Sequence, residues 1–260
     1  MRVGTGKMNL YTKNIDRIEF VMTYAFTGKC KHCSEGEKLD RNERIDGKVA
    51  EDAVKNLCEN FNIKTLMTFG GEPLLCIDEV CQIHKTAKEM GIPKRQVITN
   101  GYFSKDINII KDTAKKLSEC GVNDLLLSVD AFHQESIPLD IVKVFAAEIK
   151  KNGVPIRLNP AWLVSKEDKN PYNIITEEII KEFEAIEIFP SDANIILPEG
   201  NALKYLKDYF NTDETYINPY AEDPKDIRTV SISPNGDVLT GNLYENSIME
   251  IIKKYGETLE

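Results

Sequence analysis

Short runs of apolar and β-branched residues alternate along the chain with longer segments in which apolar residues recur every three or four positions. The short runs predict strands and the longer segments predict amphipathic helices. The predicted strands are Arg17–Tyr24, Lys64–Phe69, Gln96–Thr99, Asp124–Asp130, Ile156–Pro160 and Ile186–Phe189. The predicted helices are Val49–Phe61, Glu79–Met90, Ile107–Glu119, Leu139–Asn152 and Thr176–Phe183. This α/β alternation predicts parallel strands with right-handed crossovers in an open, partial (β/α)6 barrel of the TIM type.

The pattern changes after residue 190, where proline and glycine become frequent. Arg228–Ser233 and Val238–Thr240 flank a Pro-Asn-Gly-Asp turn sequence, which predicts a β-hairpin. A short terminal helix is predicted from about Ile248 to Tyr255. The sequence therefore predicts a barrel domain at residues 1–189 and a small C-terminal hairpin and helix appendage at residues 190–260.

Composition narrows the class of partner. The 260 residues carry a formal net charge of −9 and show no long basic stripe, so nucleic-acid binding is not expected. No apolar run approaches the ~18 residues of a membrane span and no signal peptide is recognised, so we expect a cytoplasmic protein without a membrane partner. In that compartment thiols stay reduced, and the six cysteines indicate metal or redox chemistry rather than disulfides.

Two of these cysteines lie close together directly after the first predicted strand. Iron–sulfur clusters are held by cysteine thiolates, and the spacing C-x3-C-x2-C can hold three irons of a [4Fe–4S] cube while the fourth stays open to a cofactor. Cys30 and Cys33 match the second and third positions, and Phe26 occupies the first. Because phenylalanine cannot ligate iron, a cluster here needs a third ligand from elsewhere in the chain or an exogenous ligand.

Polar residues also follow the predicted strands, at the ends where parallel α/β folds bind ligands. A Gly-Gly-Glu-Pro segment after the second strand combines backbone that can approach a ligand closely with a carboxylate that can bind a cation. The residues of this kind are Gly70, Gly71, Glu72, Pro73, Asn100, Ser128, Asp130, Arg157 and Asn159.

Together these motifs make the chain similar to radical S-adenosylmethionine (radical SAM) enzymes over most of its length. The resemblance implies two cofactors, SAM and a [4Fe–4S] cluster held by Cys30 and Cys33. It places His32 beside the adenine, and it assigns the polar strand-end residues to SAM. A zwitterionic adenosyl cofactor needs a carboxylate for its ammonium, donors for its carboxylate and amides for its ribose. Glu72, Arg157, Ser128 and Asn100 supply that set.

The resemblance also implies an activity. Such an enzyme cleaves SAM to a 5′-deoxyadenosyl radical, which abstracts hydrogen from a small-molecule or peptide substrate, and it receives electrons from a donor such as flavodoxin or ferredoxin. Residues 231–252 resemble the SPASM or twitch extension of peptide-modifying members, but no cysteine follows Cys120 to hold an auxiliary cluster. His133 is expected to act in catalysis, by contacting substrate or moving a proton, since its unperturbed pKa lies near neutrality.

Two other hypotheses stay open at this point. A degenerate member could keep the barrel and SAM binding without the cluster and act as a binding or partner module. Alternatively, Cys30 and Cys33 could form a dithiol redox motif, although this leaves the strand-end residues unexplained. Zinc at the two cysteines would need two further ligands at similarly close spacing, and none is evident from the sequence.

Overall fold

A computed structural model describes residues 9–34, 42–192, 194–211 and 215–256. The strands of this part are β1 (Arg17–Val21), β2 (Thr65–Phe69), β3 (Lys94–Thr99), β4 (Asp124–Leu127), β5 (Ile156–Leu158), β6 (Ala161–Trp162), β7 (Asn194–Ile195), β8 (Thr229–Ile232), β9 (Asp237–Val238) and β10 (Gly241–Asn242). The helices are α1 (Gly47–Asn60), α2 (Ile77–Glu89), α3 (Ile107–Glu119), α4 (Ala131–Gln134), α5 (Leu139–Lys151), α6 (Pro171–Glu184), α7 (Gly200–Tyr205) and α8 (Ile248–Lys254).

The main sheet of the described residues has the order β10-β9-β8-β1-β2-β3-β4-β5. Strands β1 to β5 are parallel and follow one another in sequence order. The helices between them bury apolar faces against the sheet, as α1 does with Ala53, Val54 and Leu57. The predicted α/β fold is therefore confirmed, and the sheet forms an open arc.

The sixth predicted strand, Ile186–Phe189, is not formed. Helix α6 ends at Glu184, and the amides of Ile186 and Ile188 both donate to the carbonyl of Phe183. Glu187 adopts a positive φ of 57°, which is incompatible with extended pairing. The chain instead touches the sheet edge in a single bridge between Leu158 and Pro190.

The C-terminal hairpin is confirmed, and it extends the main sheet. Strand β8 pairs with β1 in parallel, with Ile18 opposite Val230, and then pairs antiparallel with β9. Helix α8 begins at a capping box formed by Ser247 and Glu250. The division into two domains at residue 190 stays a prediction.

In the part of the chain that the structure describes, no helix combines the length and the apolar character that a bilayer crossing requires.

Candidate functional site

A cleft of about 850 Å³ opens at the carboxyl ends of the parallel strands. It brings together most of the residues that the sequence singled out. The lining residues from that set are Cys30, His32, Cys33, Gly70, Gly71, Asn100, Ser128, His133 and Asn159. Phe26 lines the same cleft. Among the described residues, Cys30 and Cys33 are the cysteines that line it, and Cys76 is buried in the turn before α2.

Helix α7 holds the loop that carries the two cysteines. The backbone amide of Asn201 donates to the carbonyl of Cys33 at 2.9 Å, and its side-chain amide donates to the carbonyl of Cys30 at 3.2 Å. Gly200 has a φ of 51°, and a Cβ there would lie 2.3 Å from the carbonyl oxygen of Ser34. Only glycine therefore allows this approach. No local sequence pattern predicts this role, because Asn201 lies 171 residues from Cys30 along the chain.

The cysteine loop also forms polar contacts with the turn that follows α4. The Lys29 amide donates to the Ser136 hydroxyl at 3.0 Å. The Lys31 ammonium pairs with Glu135 at 2.7 Å, and this bond raises the pKa of the lysine. The two contacts place the cysteine loop directly over α4.

The Gly70–Gly71 turn forms the floor of the cleft beside this loop. Gly71 has a φ of 50°, and a Cβ there would lie 2.3 Å from the carbonyl oxygen of Ala25. The next amide, that of Glu72, donates to this same carbonyl at 2.7 Å. The glycines therefore let the turn pack closely on the chain that leads into the cysteine loop.

The Glu72 side chain is buried and is not among the residues that line the cleft, so its expected role as a SAM ligand stays a prediction. Its carboxylate is fully buried and accepts hydrogen bonds from the Thr99 hydroxyl at 2.6 Å and from the amides of Leu74 and Asn100, each at 3.0 Å. Burial raises the pKa of Glu72 to about 7, although these hydrogen bonds oppose the shift. Glu72 thus ties the end of β3 to the glycine turn, and Pro73 is buried beside it.

Amide and hydroxyl groups at the next strand ends do face the cleft. The Asn100 side chain donates to Thr27 at 3.0 Å, so it also supports the cysteine loop. Ser128 follows β4, and the carbonyl oxygen of the Asn159 side chain accepts from Asn194 at 2.8 Å. These groups can hydrogen-bond the polar edges of a bound nucleoside.

Arg157 and Asp130 are placed differently from the expectation that they bind the cofactor. Arg157 lies in β5, and its guanidinium forms two hydrogen bonds to Asp124, at 3.1 and 2.8 Å. Asp124 begins β4, at the strand end away from the cleft, so the pair lies remote from the cysteine loop. Asp130 is fully buried under α4, where it accepts from the amides of Phe132 and His133.

Asp130 fixes the orientation of His133. The Nδ1 atom of His133 lies 2.9 Å from the Asp130 carboxylate, and the ring also hydrogen-bonds the Cys30 thiol. Burial opposes protonation of His133, but Asp130 and Cys30 outweigh it and raise its pKa well above the usual value. Burial likewise opposes ionisation of Asp130, but the neighbouring His133 holds the pKa of this carboxyl well below its usual range.

His32 lies against these groups. Its ring centroid is 5.1 Å from that of Phe132 and 4.9 Å from that of His133. Burial lowers its pKa to about 4, so the ring is neutral at physiological pH. Its Nδ1 atom is buried and has no hydrogen-bond partner among the described residues. A buried, unpartnered nitrogen at the edge of a cleft is suited to contact a bound ligand.

The residues present fit both cofactors that the motifs imply. The glycine backbone, the strand-end amides and the neutral His32 suit a polar adenosyl ligand of the size of SAM. Ligand atoms of Cys30, His32 and His133 lie within 4.8 Å of one another, and thiolate and imidazole are both ligands of iron. The cleft therefore has donors for iron beside a surface for SAM.

Comparisons with known proteins agree with this geometry. Residues 23–158 match the Radical SAM superfamily. A probable GTP 3′,8-cyclase of Sulfolobus acidocaldarius is 28% identical over 199 residues, which cover 70% of this chain and 59% of that relative. A probable GTP 3′,8-cyclase of Saccharolobus islandicus is 24% identical, and the alignment covers 96% of this chain and 78% of that relative.

Solved structures show the same fold. Native anSMEcpe with bound AdoMet superposes with a TM-score of 0.60 at 14% identity, over 94% of this chain and 82% of that one. HydG, a maturase of the [FeFe]-hydrogenase, gives a TM-score of 0.52 at 16% identity over 85% of this chain and 49% of that one. These likenesses confirm the predicted partial barrel. The family match confirms the enzyme class, radical SAM, whose cofactors are SAM and a [4Fe–4S] cluster. The chain belongs to the radical SAM superfamily.

Proposed function

We propose that this radical SAM enzyme binds SAM across the cleft, cleaves it reductively and uses the product to abstract hydrogen from a small-molecule or peptide substrate. The observation that carries the proposal is that one cleft is lined both by Cys30 and Cys33 and by the Gly70–Gly71 turn. Neither motif alone would indicate this chemistry. Their convergence, with amides from later strand ends, supplies what both cofactors require.

The residues of the chain bind and orient SAM. The backbone of the glycine turn would hold the methionyl end of SAM, and Asn100, Ser128 and Asn159 would hydrogen-bond its ribose and carboxylate. The neutral ring of His32 lies beside the adenine. When bound, the cluster supplies the electron that cleaves SAM to the 5′-deoxyadenosyl radical. That electron comes from a small donor protein such as flavodoxin or ferredoxin.

Apart from Glu199, His133 and two lysines, the described polar lining of the cleft is uncharged, which suits an uncharged polar substrate. Asparagine side chains at positions 194, 201 and 218 line it together with Tyr205 and Tyr220. The lysines on the described lining are Lys29 and Lys31, and Lys31 is already paired with Glu135. Binding of a triphosphate ordinarily uses several cations or bidentate arginines. This lining favours a peptide or a neutral small molecule over the GTP named for the cyclase relatives.

The test is SAM cleavage by the anaerobically reconstituted protein. With dithionite as reductant, we expect 5′-deoxyadenosine, measured by liquid chromatography. Cys33→Ala should abolish the product, whereas Cys58→Ala should leave it unchanged, because Cys58 is a partly buried core residue that lies outside the cleft lining. Adding GTP should not increase the yield.

Each contrary result has a defined meaning. Absence of 5′-deoxyadenosine despite a complete cluster would overturn the enzymatic proposal in favour of a SAM-binding module. Stimulation of cleavage by GTP would overturn the assignment of an uncharged substrate. Equal loss of activity in Cys33→Ala and Cys58→Ala would show that thiol substitution damages the fold rather than the site.

A further inference from the structure

The cysteine loop provides one cluster ligand fewer than the C-x3-C-x2-C motif. Another side chain of the cleft can provide that ligand. Phe26 occupies the first ligand position of the loop, so the loop offers two thiolates, Cys30 and Cys33. Iron–sulfur clusters of this type are otherwise held by a further protein ligand. A third protein ligand would therefore have to come from another element.

Among the described residues, His133 is the candidate that the following contacts favour. Its ligand nitrogen and the Cys30 sulfur belong to the group of atoms that lie within 4.8 Å of one another. Because Nδ1 is engaged by Asp130, Nε2 is the nitrogen that is available to the Cys30 thiol and to the cleft. The side chain is only 14% exposed, so its position is set by the protein rather than by solvent.

The surroundings of His133 have the form found around histidines that bind metals. Such a histidine ordinarily donates its second ring N–H to a carboxylate, which fixes the tautomer and the orientation of the ring. Here that carboxylate is Asp130, which is fully buried and is itself fixed by amides of α4 and by the amide of Ala161 at 3.1 Å. His32 has no such partner for its Nδ1 atom among the described residues. The orienting carboxylate therefore favours His133 over His32.

We propose that His133 is the third protein ligand of the [4Fe–4S] cluster, with Cys30 and Cys33, and replaces the thiolate that is missing at Phe26. Histidine takes the place of cysteine in other iron–sulfur centres, where it raises the reduction potential. The proposal rests on the proposed function in that it assumes a cluster in this cleft. It assigns His133 to iron rather than to the substrate contact or proton transfer expected from the sequence.

The direct test needs no substitution. The protein is produced with ¹⁴N- or ¹⁵N-labelled histidine and reconstituted anaerobically with iron and sulfide, and pulsed EPR is recorded on the reduced cluster. We expect a strong nitrogen hyperfine coupling that changes with the isotope, because a ligated imidazole shares spin density with iron. A complete cluster without any such histidine coupling would overturn the proposal.

Three variants provide a second readout, the iron and sulfide content after desalting. His133→Ala should lose most of the iron. The double variant His133→Ala with Phe26→Cys should regain it, because Phe26→Cys provides a new ligand. A purely structural defect of His133→Ala would not be repaired in this way. His32→Ala should keep its iron. The restored variant should also have a lower reduction potential than the unmodified protein.

The other outcomes also decide the question. The proposal would be overturned if His133→Ala kept all of its iron, or if His32→Ala lost iron and His133→Ala did not. Uptake of zinc instead of iron would also overturn it. A protein that stays free of iron after reconstitution would do the same. Histidine coupling without SAM cleavage would keep the ligand assignment and reject the function proposed above, and cleavage without coupling would do the reverse.

Discussion

Glu72 provides the sharpest test of how the cleft is built, through the substitution Glu72→Gln. The carboxylate accepts three hydrogen bonds in a site closed to solvent, and burial raises its pKa from the ordinary 4.5 to about 7. Glutamine has nearly the same shape but no charge. The substitution therefore removes the titration of this site while keeping most of its packing, at a fixed cost of about 1–3 kcal/mol for a mismatched hydrogen bond.

The sign of the pH effect follows from the raised pKa. Between pH 4.5 and 7 the folded protein keeps a proton on Glu72 that the unfolded chain releases, so rising pH favours unfolding. The stability that Glu72 contributes is thus fully present below pH 4.5 and is lost as the pH rises through 7. At about 1.4 kcal/mol per pKa unit, the loss between pH 5 and 8 is about 2–3 kcal/mol.

The assay is urea unfolding of the metal-free protein, followed by the fluorescence of the single tryptophan, Trp162, which is buried. Other groups titrate equally in both proteins, so the difference in unfolding free energy between unmodified protein and Glu72→Gln isolates this site. We expect that difference to fall by about 2–3 kcal/mol from pH 5 to 8, while SAM affinity changes less than roughly tenfold. If the unfolding free energies of the two proteins instead changed in parallel with pH, and SAM affinity fell strongly, the buried position of Glu72 would be refuted. The result would indicate that Glu72 binds SAM.

Two further predictions concern the support of the cleft. Gly71→Ala should lower stability by on the order of 1–3 kcal/mol and weaken SAM binding, because the new Cβ would meet the Ala25 carbonyl. The matched control is Gly91→Ala, since Gly91 also has a positive φ but has open space around it. Equal losses of SAM affinity in the two variants would contradict the steric argument. Asn201→Ala should speed the loss of iron to a chelator roughly fivefold, the effect of about 1 kcal/mol in a hydrogen bond to Cys30; an unchanged rate would show that the backbone bond alone holds the loop.

The sequence predicted the strands and helices of the barrel well where burial follows a regular period. Strand β2 and helix α3 lie almost where the apolar pattern placed them, because the pattern records which face meets the core. The expected strand at Ile186–Phe189 failed for a tertiary reason. Its β-branched residues suit a strand, but the end of α6 takes up their amides.

The candidate site was predictable in position but not in the direction of each side chain. Residues after parallel strands must gather at one edge, and most of those named from the sequence do line the cleft. Charge alone did not show that Glu72 turns inward to Thr99 or that Arg157 reaches Asp124. Both depend on partners that lie about 30 residues away along the chain, which a local pattern cannot reveal.

The residues that support the three proposed ligands also lie far apart along the chain. Cys30 and Cys33 are positioned by Asn201 of α7, whereas His133 is positioned by Asp130, which also caps α4. None of these supports passes through the side chain of Phe26. Each of the three proposed ligands therefore has hydrogen-bonded support of its own, and replacing one loop residue does not remove the support of the others. The cleft therefore retains an organised donor set whose chemistry depends on which side chain completes it.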